Sequence, residues 1–121
     1  MIMHPSGWLK RATNAAKDSG AQVIADEVMT GFGRTGAVFA GQKEKVVPDF
    51  LCLAKGITGG YLPMAATLTT QDVFDVFLGK YDEFKTFFHG HSFTGNQLGS
   101  AAALASWELL KDPKGRARRK L

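Results

Sequence analysis

Five consecutive apolar residues, Phe50 to Ala54, run without a polar break into Lys55-Gly56. A run of that length bounded by Pro48-Asp49 reads as a strand, and a strand without alternation is buried on both faces. This feature narrows the possible folds most, because such strands lie inside α/β sheets with helices on each side. Gln22 to Val28 is a second, β-branched stretch closing on Asp26-Glu27-Val28, and Met64 to Thr69 is a third strand candidate. Residues 29–49 separate the first two, enough for the crossover that parallel strands require. Only residues 55–63 lie between the second and third, too few for a crossover, so the third strand is expected to run antiparallel.

Helical periods fill the remainder. Ser6 is placed to cap a helix with the apolar stripe Trp8, Leu9, Ala12, Ala15 and Ala16, ending near Gly20. Thr70 is placed to cap a helix carrying Val73, Phe74, Phe77 and Leu78, stopped by Gly79. Asn96 can cap a last helix bearing Leu98, Ala101, Ala102, Ala105 and Leu109. A short helix is also expected within residues 37–47. The fold class is therefore α/β: two parallel strands plus an antiparallel one, flanked by helices. Three strands and four helices are too few to cover both sheet faces, so the chain reads as part of a larger α/β domain.

Charge and composition remove several function classes. The 121 residues carry a net charge of +4, but six of the 15 basic and only one of the 11 acidic side chains fall in residues 111–121. The body, residues 1–110, is left close to neutral. Its excess charge is a terminal tail without interleaved aromatics, so nothing resembles a base-stacking platform and nucleic acid is not expected as a partner. No apolar run approaches the ~20 residues of a membrane span, and the single cysteine, Cys52, leans toward a reducing, cytoplasmic compartment. Glycine is enriched: 14 of 121 residues, seven of them between Gly31 and Gly60. Such clustering suits a backbone that turns sharply or comes close to a ligand.

Two charged residues sit where charge is costly. Asp26 follows Val23-Ile24-Ala25 and Lys55 follows Leu51-Cys52-Leu53-Ala54, each at the C-terminal end of a strand, where open α/β sheets bind their ligands. A lysine desolvated there is a nucleophile toward carbonyls. An aspartate on the neighbouring strand can hold a cationic group of the same ligand or pair with the lysine. Gly31-Phe32-Gly33-Arg34-Thr35-Gly36 matches GxGxxG, yet Asp26 and Glu27 beside it would repel a pyrophosphate, and no carboxylate follows at the ribose spacing. His89-Gly90-His91-Ser92 has no third ligand for a metal nearby; a loop meeting an anion ahead of the Asn96 helix suits it better.

Taken together, IADEVMTGFGRTG, CLAKGITGGYLP and FFHGHSFTGN, in this order and spacing, resemble the class III aminotransferases across nearly all of residues 1–110. The runs YLPMAATLTT and HGHSFTGN are most similar to the branch of that class that serves biotin synthesis. The resemblance implies pyridoxal 5'-phosphate (PLP) as cofactor, a fold type I large domain of which residues 1–110 are a central part, an amino donor, a keto acceptor and a homodimer. It implies that Lys55 forms the Schiff base with PLP and moves the substrate proton, and that Asp26 pairs with the pyridine nitrogen. Val28, on the same strand side as Asp26, corresponds to the residue packed on the ring. His91 and Ser92 correspond to phosphate contacts supplied across a subunit boundary, and Gly90 to a substrate contact. Arg34 either orients substrate or ties its turn.

Class III members are three to four times longer. The chain lacks their upstream phosphate-binding Gly-Ser loop, their ring-stacking aromatic and their downstream substrate arginine, so it is not expected to turn over alone. The rivals are an ω-amino-acid or ornithine-type transaminase and, from another class, a nonenzymatic module that works through its basic tail.

Overall fold

The computed structural model describes residues 3–114. Its elements are α1 (Trp8–Asp18), β1 (Ile24–Asp26), β2 (Phe50–Leu53), β3 (Ala66–Thr69), α2 (Gln71–Val76) and α3 (Gln97–Lys111), with short 3-10 turns at Ala40–Glu44, Lys55–Thr58 and Tyr81–Glu83. The strands form one sheet in the order β1-β2-β3. β1 and β2 are parallel, Ile24 facing Phe50 and Asp26 facing Cys52. β3 runs antiparallel to β2, Phe50 facing Thr69 and Leu53 facing Ala66. The connection lengths had dictated both directions. No helix among the described residues is long and apolar enough to cross a membrane.

Several expected boundaries differ from the structure: β2 ends at Leu53 and not Ala54, and β3 starts at Ala66 and not Met64. The first strand is shorter than Gln22–Val28, because the Asp26 carboxylate accepts the Val28 amide at 3.0 Å and turns the chain out of the sheet. The cap of α1 is Gly7, at φ 80°, and not Ser6. Its orphan amides are met from far along the chain: Gly7 and Lys10 N–H groups each donate to the Glu44 carboxylate at 2.8 Å. α2 ends at Val76, before Gly79. Asn96 caps α3 as its position implied, Oδ1 accepting from Gly99 N at 2.7 Å. α3 continues through Lys111, while residues 115–121 of the basic tail lie outside the described residues.

The core sits under β2. Leu53 is its buried hydrophobic side chain, at 5% exposure, and the buried polar ones are Thr13, Glu27 and Thr58. α3 is held against the turn that follows β2. Ser106 Oγ donates to the Gly56 carbonyl at 3.4 Å, and a Cβ at Gly59 would stand 3.5 Å from that same hydroxyl. Many large apolar side chains remain in solvent, among them Ile24 on β1, Leu68 on β3 and Leu104 on α3. Sheet and helices therefore present uncovered apolar faces, as expected of three strands with so few helices.

Candidate functional site

The C-terminal ends of the parallel strands carry the two suspected residues. Asp26 ends β1, and Lys55 begins the 3-10 turn directly after β2. The Asp26 Oδ1 is engaged with Val28 N, while no donor is paired with Oδ2 among the described residues. Lys55 adopts φ 48°, a left-handed conformation that costs a residue with a Cβ on the order of 1 kcal/mol. Contrary to the expected desolvation, its side chain is exposed. The short sheet leaves the strand ends open on one side, so nothing among the described residues shields the amine.

Two clefts meet at Lys55. The first, about 680 Å3, is walled by Val28, Phe32, Arg34 and Gly56 with the foot of α3 at Ser106. The second, about 1080 Å3, is walled by Tyr61 to Ala65 on one side and by His89, His91 and Phe93 on the other. Lys55 and Gly60 belong to both. Val28 thus faces the Lys55 cleft, though through a turn and not by strand alternation. Arg34 is also in the first cleft. Its guanidinium has no hydrogen bond or ion pair among the described residues, and its turn is closed by backbone bonds, Gly33 N to Val38 O at 3.2 Å and Gly36 N to Gly33 O at 3.0 Å. The turn does not depend on the arginine for closure.

His91 reaches the second cleft, and its Nδ1 accepts the Phe93 amide at 3.2 Å. Gly90 and Ser92 are exposed in the same loop, and neither they nor Asp26 wall either cleft. An amine at a cleft junction can attack a carbonyl, and a carboxylate on the adjacent strand end can hold a basic nitrogen. Of the glycines that follow the lysine, Gly60 has open space where a Cβ would stand, while Gly56 is packed against Phe32.

Sequence reasoning passed over Glu27. Although charged, it is 4% exposed. Its carboxylate accepts the Ala40 amide at 2.7 Å, the Gly41 amide at 2.8 Å and the Thr30 hydroxyl at 3.0 Å. Its own amide donates to Cys52 O at 3.0 Å, and its carbonyl accepts the Gly31 amide at 2.9 Å. Glu27 therefore pins both ends of the loop that forms one wall of the first cleft. Neighbouring Asp26 gave no local sign of this, since the partners lie 13 and 14 residues away.

The family description "Aminotransferase class-III" matches residues 1–119. An adenosylmethionine-8-amino-7-oxononanoate aminotransferase of Nitratidesulfovibrio vulgaris is 54% identical over 114 residues, 94% of this chain and 21% of the relative. The crystal structure of the enzyme of that name from Methanocaldococcus jannaschii superposes with a TM-score of 0.90 at 46% identity, over 98% of this chain and 28% of the other. An amine transaminase from an uncultivated Pseudomonas species, solved in its PLP-bound form, superposes with a TM-score of 0.85 at 38% identity, over 91% and 25%. The chain spans about a quarter of the length of the curated relatives it matches.

Proposed function

The chain belongs to the class III aminotransferases, and on that premise we propose that residues 1–110 form the central part of a PLP-binding large domain, with 111–121 as a basic extension. The reaction is transfer of an amino group to 8-amino-7-oxononanoate, giving 7,8-diaminononanoate, in the cytoplasm and in a homodimer. Lys55 at the junction of two clefts carries this reading. Bound there, PLP supplies an electrophilic carbon and an electron-withdrawing ring.

The chain's own residues do the rest. With the group bound, Lys55 Nζ would hold it covalently and, as a free amine, would take and return the substrate proton. Asp26 uses the Oδ2 left without a partner to hold a proton on the ring nitrogen, while its Oδ1 bond to Val28 keeps the carboxylate at the strand end. Val28 would pack on the ring, His91 and Ser92 would hold the phosphate, and Gly90 and Arg34 would meet substrate.

Incubation of the full-length protein with PLP, borohydride reduction and peptide mapping tests the assignment. The label is expected on Lys55, and Lys55→Ala is expected to lower kcat by about 10^3-fold or more, as removal of a covalent catalytic group does. A label on another residue would overturn the reading. Turnover of ω-amino acids or ornithine in place of 8-amino-7-oxononanoate would move the protein to the competing substrate class.

A further inference from the structure

Phe32 makes an unusual approach to the residue that follows Lys55. A Cβ built on Gly56 would stand 2.9 Å from Phe32 Cβ, 3.0 Å from Cδ2 and 3.2 Å from Cγ. The crowding comes from the root of the side chain, so a rotamer change at Phe32 could not relieve it. Phe32 itself is held at φ 57°, the same disfavoured region that Lys55 occupies at φ 48°. Two residues with side chains, both lining the first cleft, are therefore strained on either side of one glycine contact. Such conformations persist only where the surroundings over-determine them.

The surroundings that do so can be traced. The Phe32 ring packs edge-on against Phe39, centroids 5.7 Å apart and planes at 74°. Phe39 directly precedes Ala40 and Gly41, whose amides are held by the buried Glu27 carboxylate. A Cβ at Gly31 would meet the Glu27 carbonyl at 2.8 Å, so the loop lies as close to the strand end as its backbone permits. On the other side, Ser106 of α3 donates to the Gly56 carbonyl. Gly56 is thus gripped between Phe32 and α3.

We infer that Phe32, braced by Phe39 and the Glu27 carboxylate, is a positioning residue that fixes the backbone turn of Lys55 through Gly56. It touches no reacting atom; it determines where the amine stands. The inference rests on Lys55 being the PLP-binding residue.

The test uses the full-length protein with Gly56→Ala, Phe32→Gly, their double variant and Phe32→Tyr. Three quantities are measured: PLP fixed on Lys55 by borohydride at limiting cofactor, the pH midpoint of the visible band of the bound cofactor, and Tm. Gly56→Ala is expected to lower fixation about tenfold, the scale of inserting a methyl group into a filled space. The double variant is expected to regain more than half of that loss, because removing the phenyl group makes room for the new Cβ. Phe32→Gly suits the left-handed backbone, so it is expected to shift the pH midpoint while leaving Tm close to that of the parent. Phe32→Tyr, which keeps the ring, should behave as the parent. Equal impairment of Gly56→Ala and the double variant would overturn the inference. So would an unchanged pH midpoint in Phe32→Gly, or a Tm loss that accounts for its whole effect. A parent protein labelled away from Lys55 would instead defeat the proposed function, so the two failures are distinguishable.

Discussion

The two walls that meet at Lys55 are built differently. The first, the loop from Val28 to Gly41, is held by bonds that reach across the chain. Glu27 alone collects donors from Thr30, Ala40 and Gly41, and its backbone is tied to Cys52 and Gly31. The second, from Phe84 to Asn96, is held by neighbours: His89 N to Phe87 O at 2.7 Å, Thr94 N to His91 O at 3.0 Å and Phe93 N to His91 Nδ1. Its aromatics stand in solvent, Phe88 and Phe93 each at 76% exposure. The lysine side of the site is thus organised by the chain itself. The histidine side brings His89, His91 and Phe93 to the second cleft on bonds between near neighbours.

The contrast can be broken by experiment. The largest effect is expected for Glu27→Ala in the full-length protein. Removing the carboxylate leaves buried amides at Ala40 and Gly41 without an acceptor, at a cost of about 3 kcal/mol. Thermal or urea unfolding measures it, and a loss as small as a surface substitution gives would remove Glu27 from the centre of the first wall. His91→Ala comes next. Its stability is expected to change by less than about 0.5 kcal/mol, while PLP retention falls about tenfold, the scale of one hydrogen bond to a charged group. Destabilisation equal to that of Glu27→Ala would mean that both walls are built alike.

The smallest effect concerns Glu44, which ties α1 to the end of the first wall. Chiefly the Lys10 amide, together with the Gly7 amide and the Arg11 charge, holds its carboxyl below the ordinary value of 4.5, against an opposing contribution from burial. A carboxylate with a lowered pKa stabilises the fold above its ordinary value and loses that contribution as pH falls through the folded one. Glu44→Gln is therefore expected to lower Tm slightly at neutral pH and to converge on the parent as pH falls through the lowered folded pKa of Glu44. A difference that persists unchanged in acid would assign the tie to packing and not to charge.

Local chemistry made part of this legible in the sequence. The apolar run from Phe50 declared a strand, although only Leu53 of it is buried and the expected cover on both faces is absent among the described residues; connection lengths agreed with its neighbours' directions, and Asn96 announced its helix. Lys55 and Asp26 stood out because charge at the end of an apolar run is costly. What escaped was long-range. Glu27 looked like one more polar residue beside Asp26, and only the return of the chain at Ala40 buries it. Ser6 had the right chemistry for a cap, but a carboxylate 37 residues from Gly7 reached the amides first. Val28 was expected to face Asp26's side by alternation, and the strand ended before alternation could apply.

The bond from Glu27 to Ala40 and Gly41 also makes a probe. Those two amides exchange with solvent only when the carboxylate lets go, so their exchange rates report the opening of a loop whose other face bears on the lysine. Because the closing bonds span 13 and 14 residues, the entropic cost of forming this loop is met in a single event. In kinetic terms, the wall cannot assemble in instalments: protection at Ala40 and Gly41 should appear together, and mark the moment at which the lysine turn acquires its shape.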